Sequence, residues 1–237
     1  MTSRRQFPTT RWSVVLDAAL GTAAPKKALH ELCEAYWRPL YTFLRRDGHN
    51  QQDAEDTVQG FFAHLLAGPA IASVEPDRGR FRSYLLGALR HYVSNERAKA
   101  AALKRGGGER LVPLVINGAQ IEGELELSDD HTPEDAYAHA WAMEILARTQ
   151  RRLGEHYRRD DRGALFDALE PFLVSAETPA YRQVAAGLAM TEANTRVAVH
   201  RLRNRFRTML REEVADTVAS DADIDDEIRA VIAAIRS

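Results

Sequence analysis

Apolar residues recur at three- and four-residue spacing through most of residues 9–105, where Gly and Pro are sparse, and this pattern predicts helices. It is clearest from Asn50 to Ala67. There Ala54, Val58, Phe61, Phe62, Leu65 and Leu66 share one face, and Asp53, Glu55, Asp56 and Gln59 fall outside it. Asn50 is placed to cap this helix, and acids in its first turn suit the positive end of the helix dipole. Gly68-Pro69 ends it.

The pattern breaks over residues 106–133, between Gly106-Gly107-Gly108 and Thr132-Pro133. This stretch reads as a mostly irregular linker, with Leu111–Ile116 as a short strand or a packed segment. Thr132-Pro133-Glu134-Asp135 then starts a helix: a cap, a proline at the first helical position, and acids behind it. Thr178-Pro179 repeats that signal. Residues 134–215 are expected to form a second helical domain. In the tail, 216–237, the segment Asp221–Ser237 brings Ile224, Ile228, Val231, Ile232 and Ile235 to helical spacing, an amphipathic helix whose apolar face must dock. Strand signals are nearly absent. The expectation is an all-α chain with domains at 9–105 and 134–215, joined by the linker 106–133.

Composition adds little to this and excludes some things. The chain has 237 residues, 45% hydrophobic and 28% charged, ordinary for a globular protein with a core. The single cysteine, Cys33, excludes an intrachain disulfide framework and a multi-cysteine zinc site. No apolar run approaches the ~18 residues of a membrane span. The N-terminus lacks the apolar core of a secretory signal, so a cytoplasmic location is expected, with no membrane partner.

Charge changes the picture more. The whole chain is nearly balanced, at −2, but its parts are not. Arg78 to Arg105 carries eight bases and one acid, net +7, and Tyr181 to Arg211 carries seven and one, net +6. The acids collect elsewhere: eight against one base over 109–135, and eight against two over 212–237. Two separated basic patches are the footprint of a protein that tracks phosphates at two places.

The second patch coincides with a helix, a tight turn and a helix. Tyr181–Leu188 would turn Val184, Ala185 and Leu188 inward, with Gly187 and Ala189 kept small for a close crossing. Thr191 would cap a second helix with Thr195, Val199, Leu202, Phe206 and Leu210 on its inner face. Asn194, Arg196, His200, Arg201 and Arg203 would lie outside. This is the helix-turn-helix plan, whose second helix enters the major groove. Arginine there favours guanine and asparagine favours adenine.

Three further stretches stand in order in the first domain. Tyr36-Trp37-Arg38-Pro39-Leu40-Tyr41-Thr42-Phe43-Leu44-Arg45-Arg46 precedes the DAED-x-VQ-x-x-F motif, Asp53 to Phe62, and Phe81-Arg82-Ser83-Tyr84-Leu85-Leu86 follows with a basic continuation. Together they resemble the polymerase-binding and promoter-melting region of sigma-70 family RNA polymerase sigma factors of the extracytoplasmic-function (ECF) type. The helix-turn-helix, YRQVAAGLAMTEANTRVAVHRLRNRFR, resembles the promoter-binding C-terminal region of that family. The two stretches, 36–105 and 181–207, cover about two fifths of the chain.

The resemblance implies core RNA polymerase and promoter DNA as partners, no cofactor, no metal and no catalytic residue. Asp53, Glu55, Asp56 and Gln59 would contact the clamp helices of the polymerase β′ subunit, and the second domain would reach the β flap. The minus-ten element would meet Arg82, Tyr84, Arg90, His91, Asn95, Arg97 and Lys99, with Tyr92 beside them. Arg78 and Arg80 lie in the loop where the family captures a flipped base. The minus-thirty-five element would meet Arg182, Gln183, Thr191, Asn194, Arg196, His200, Arg201 and Arg203. An anti-sigma factor is a further partner that the family admits. The recognition helix departs from the family's usual Gly-Thr-Val-Lys-Ser-Arg-Leu-like pattern, with Ala198 where an arginine is expected. The tail is an addition, expected to pack on the second domain or on the polymerase. The charge of −6 over 212–237 would restrain DNA binding by the free protein.

Other signals are set aside. His30-x-x-Cys33 has ligand-like spacing without a second pair, and the three glycines lack the context of a phosphate loop. Trp12, Trp37 and Trp141 are expected to pack. Two other readings fit parts of the sequence: a helix-turn-helix regulator that never joins a polymerase, and an all-helical adaptor or enzyme. A regulator needs neither the acidic helix nor a second basic patch.

Overall fold

A computed structural model describes residues 26–67, 80–103, 131–174, 179–218 and 220–236. Among the described residues nine α-helices and one short 3-10 turn make up the regular structure, and no strand occurs. The helices are α1 (Lys26–Arg46), α2 (Gln51–Ala67), α3 (Phe81–Leu103), α4 (Pro133–Arg159), α5 (Gly163–Leu169), α6 (Pro171–Val174), α7 (Tyr181–Gly187), α8 (Glu192–Ala215) and α9 (Ile224–Arg236). The all-α expectation therefore holds. Trp12, Arg78, the strand reading at 111–116 and most of the 106–133 linker lie outside the described residues, as does the side chain of His30.

Local chemistry starts the helices where the sequence places them. Asn50 Oδ1 accepts the backbone N–H of Asp53 at 2.9 Å, and its Nδ2 donates to the Asp53 carboxylate at 2.7 Å. Thr132 Oγ1 accepts from the Asp135 N–H at 3.1 Å and donates to its carboxylate at 2.6 Å. That hydrogen bond holds the Asp135 carboxyl below its ordinary range. Thr191 Oγ1 accepts from the Asn194 N–H at 3.1 Å. Each cap satisfies a backbone donor that the first turn leaves without a partner. At the end of α1 the chain reverses through Gly48, at φ +91°, a conformation only glycine adopts without strain.

The chain divides into two compact units, residues 1–143 with 215–237, and residues 144–214. In the first, Tyr36, Leu40, Leu44, Val58, Phe61, Phe62, Phe81, Leu85 and Leu89 from α1, α2 and α3 are fully or almost fully buried. Phe81 meets Tyr36 edge-on with centroids 5.3 Å apart. The predicted α2 face is confirmed at Ala54, Val58, Phe61, Phe62 and Leu65. Gly60 lets α2 and α3 approach: a Cβ there would stand 2.5 Å from the Tyr92 hydroxyl.

The beginning of α4 belongs to this unit. Tyr137 and Trp141 are buried, and the Tyr137 hydroxyl donates to the carbonyl of Arg82 at 2.9 Å. Burial raises the Tyr137 pKa well above its ordinary value. The C-terminal helix α9 belongs here as well, so its expected docking on the second domain is corrected. Its buried stripe is also different from the expected one. Ile224, Glu227 and Val231 are buried, whereas Ile232 and Ile235 are exposed.

In the second unit, Leu153 and Tyr157 of α4 pack with Phe166, Leu169 and Phe172 of the two short helices and with Val199, Leu202 and Met209 of α8. Tyr181, Val184 and Leu188 close over this core. Met209 rather than Leu210 is the buried residue at that turn of α8. The small residues of the α7–α8 turn have another cause than close crossing. A Cβ on Gly187 would meet open space, and Ala189 is exposed at φ 51°, the left-handed conformation that reverses the chain.

Candidate nucleic-acid and polymerase interface

Helix α2 carries the acidic row. Asp53 and Asp56 are exposed, and Glu55 and Gln59 are half-buried beside them. Their partners are neutral amides of the same helix: Gln51 donates to Glu55 at 3.1 Å and Gln52 to Asp56 at 3.2 Å. With the apolar face of α2 turned into the core, the row is presented outward.

Helix α3 divides its candidates into two rows. Tyr84, His91, Asn95 and Lys99 follow one another at spacings of seven, four and four, one side of a helix. His91, Asn95 and Lys99 are exposed and Tyr84 is half-buried against Phe81, with centroids 6.1 Å apart. Burial raises the Tyr84 phenol above its ordinary value. Arg82, Arg90 and Arg97 occupy another side, and there acids meet them. Arg90 pairs with Glu134 and covers the Phe43 ring at 5.3 Å. Arg97 reaches Asp47 at 3.7 Å and the His49 ring at 3.3 Å. The four charged residues line a cleft of about 310 Å³ with Phe43, Leu44, Val93 and Ser94.

Arg80 and Arg82 are taken up by the tail. Glu227 of α9 has no exposed side-chain surface, and both arginines hold it. Arg82 Nε and Nη2 donate to its two oxygens at 2.7 and 3.2 Å, and Arg80 Nε stands 2.8 Å from Oε2. Arg82 also lies over the Trp141 ring at 4.7 Å, and its side chain is only 14% exposed. In this arrangement both arginines hold a carboxylate, and Arg80 keeps 37% of its side chain exposed.

In the second unit, Arg182, Gln183, Thr191, Asn194, Arg196, His200, Arg201 and Arg203 are all exposed. Arg203 has a structural task, donating to the Phe172 carbonyl at 3.0 and 3.3 Å, which ties α8 to the end of α6. Arg196 pairs with Glu192 at 2.7 Å and covers the ring of Tyr181. Arg201 lines a cleft of about 360 Å³ with Arg205, Arg162, His156, Tyr157 and Asp160. Sequence reasoning did not select Arg162 and Arg205 as site residues, because nothing local brings the turn after α4 beside α8.

No group of three or more metal-ligating side chains occurs among the described residues. Cys33 is buried, and burial, with the Glu34 charge as a smaller cause, pushes its thiol up to about 11. No described helix is long and apolar enough to cross a membrane.

Comparison with known proteins adds one finding. Residues 32–102, which are 71 of the 237, match the family model for sigma-70 region 2. The matched segment runs from within α1 through α2 and α3, the two helices that carry the acidic row and the basic rows. A sigma-70 region 2 domain is thus present, and it supports a sigma factor role in transcription initiation. No curated protein and no solved structure gives a significant match to the chain.

Proposed function

We propose that the chain is a sigma factor of the ECF kind, which binds core RNA polymerase, directs it to promoters and assists their melting. The observation that carries this reading is the coincidence of the region 2 match with the geometry of α2 and α3. An exposed acidic row and an exposed basic-aromatic row stand on successive helices of one core.

Each row has a physical task. Asp53, Glu55, Asp56 and Gln59 dock the β′ clamp helices, where complementary charge speeds and orients association. Tyr84, His91, Asn95 and Lys99 hold the unpaired minus-ten strand. The half-exposed ring offers a stacking surface, and the polar and basic side chains follow the backbone. Unstacking costs roughly 1.4 kcal/mol per base-pair step, and a flipped base costs a few kcal/mol more. Binding energy on this scale opens a duplex without nucleotide hydrolysis, so the protein acts without an active site of its own.

The second unit supplies the upstream grip. Its short helix α7 and capped helix α8 present Asn194, Arg196, His200 and Arg201 to a major groove at the minus-thirty-five element. The cleft around Arg162, Arg201 and Arg205 would receive backbone phosphate beside them.

Run-off transcription tests the proposal, using purified core polymerase and a set of candidate promoter fragments. Specific transcripts that appear only when this protein is added support it. Binding to promoter fragments without any binding to core polymerase would make the protein a helix-turn-helix regulator instead.

A further inference from the structure

The tail helix buries a carboxylate, and burying a charge is costly unless partners compensate for lost water. Glu227 has those partners in Arg80 and Arg82, at 2.7 to 3.2 Å on both oxygens. Arg82 offers the side-on fork that fits a carboxylate and fits a phosphate equally well. The cradle lies at the N-terminal end of α3, the helix that also carries Tyr84, His91 and Asn95. One carboxylate leaves two guanidinium groups incompletely neutralised, so the site retains attraction for an anion.

The helix that brings Glu227 is short. It has 13 residues, near the length at which an isolated helix is marginal in water. Ile224 and Val231 are its buried apolar anchors. Polar contacts add to the dock: the Phe81 N–H donates to the Thr217 carbonyl at 3.1 Å, and the His139 ring meets the Ala234 carbonyl at 2.7 Å. Its outer side leaves Ile232 and Ile235 partly bare. Glu227 is thus both a register pin for the helix and an acid placed on a nucleic-acid surface.

We propose that the Arg80–Arg82 cradle is an anion site for which Glu227 and a DNA backbone phosphate compete, so that the C-terminal helix is an internal competitor of promoter DNA. This rests on the reading of α3 as a DNA-binding helix. Free protein keeps the cradle filled from within. A DNA strand laid along α3 displaces the carboxylate, releases α9 and gains a phosphate contact shared by the two arginines. Restraint therefore comes from one carboxylate placed in a fitted site of the first unit, in contrast to general screening of the basic helix α8 by the tail's charge.

The test measures binding of a fluorescein-labelled, mixed-sequence single-stranded DNA by anisotropy over a range of salt. Four proteins are compared: the unaltered chain, a chain ending at Ser220, Glu227→Gln and Asp221→Asn. Both the shortened chain and Glu227→Gln are expected to bind on the order of tenfold more tightly. Their log–log salt dependence should steepen by up to about 0.7, the contribution of one added phosphate contact on a single strand. Asp221→Asn removes the same charge from an exposed place and should change neither quantity.

Far-UV circular dichroism identifies which of the two tight-binding variants keeps the expected helical content. Adding Arg80→Ala and Arg82→Ala to that variant should remove its gain. Equal affinity and slope for all four proteins, with binding still weakened by Lys99→Ala, overturns the competition and leaves α3 as the DNA surface. Binding that ignores Lys99→Ala as well removes the reading of α3 on which the competition rests.

Discussion

The guanidinium of Arg196 lies over the ring of Tyr181, 4.3 Å from its centroid. One side chain thereby bridges the first residue of α7 and the second turn of α8, while Glu192 holds it from one turn back at 2.7 Å. A long flexible arginine is thus given a defined direction, which on the proposed reading lowers the entropy lost on contact with DNA.

Arg196→Ala should lower discrimination between a matched and a mismatched promoter by about 1–3 kcal/mol, the range for a bidentate base contact. Gel-shift titrations on both fragments measure it. An equal loss on both would assign Arg196 to a phosphate. Folding stability should fall by less than about 1 kcal/mol, because the ion pair and the ring contact are largely solvent-screened. Tyr181→Phe keeps the ring and should leave discrimination unchanged.

Asp56→Arg reverses one charge in the middle of the acidic row, where the native carboxylate is exposed and accepts from Gln52. Association with core polymerase should slow by about tenfold at low salt, with a smaller effect at high salt as screening grows. Stopped-flow mixing of labelled protein with core polymerase gives the rate. Helical content should be unaltered, and an unchanged rate would remove Asp56 from the docking surface.

Gly60→Ala places a methyl group 2.5 Å from the Tyr92 hydroxyl, whereas the nearest ring carbons stand at 3.5 and 4.0 Å. Overpacking of this kind costs about 1–3 kcal/mol, and better helix propensity returns about 1. A net loss of about 1 kcal/mol is expected in urea unfolding. Tyr92→Phe removes the only atom in conflict. The double variant Gly60→Ala, Tyr92→Phe should therefore be at least as stable as Tyr92→Phe alone, a coupling that independent sites would not show.

Cys33 should be inert in the folded chain. Its thiol is raised from an ordinary 9.0 to about 11, first by burial and second by the Glu34 charge. At pH 8 that difference alone lowers the thiolate fraction about 100-fold, so alkylation should be slow in buffer and fast in urea. The folded state holds the proton longer. The stability it contributes is complete below pH 9 and is lost as pH rises through 11. Urea midpoints measured across that window should decline, and a Cys33→Ala variant should lack that part of the decline.

Short-range chemistry was legible in the amino-acid order. Asn50, Thr132 and Thr191 cap helices through donors three residues away. The core face of α2 follows from spacing alone, since a helix turns 3.6 residues at a time whatever lies around it. The region 2 motif and the helix-turn-helix were readable for the same reason: each is a continuous stretch of chain whose own residues carry its signal.

Long-range pairing was decided by the tertiary structure. Hydropathy scores a residue by itself, so Ile232 and Ile235 were assigned to the docked face of the tail and Glu227 was not. Folding inverted that choice, because Arg80 and Arg82, some 145 residues away, supply the charges that let a carboxylate be buried. The same holds for the acids that reach Arg82, Arg90 and Arg97 of α3 from other parts of the chain, and for Arg162 beside Arg201 and Arg205. Whether a charged side chain faces a partner or water depends on what the fold brings within about 4 Å of it, and no local pattern encodes that.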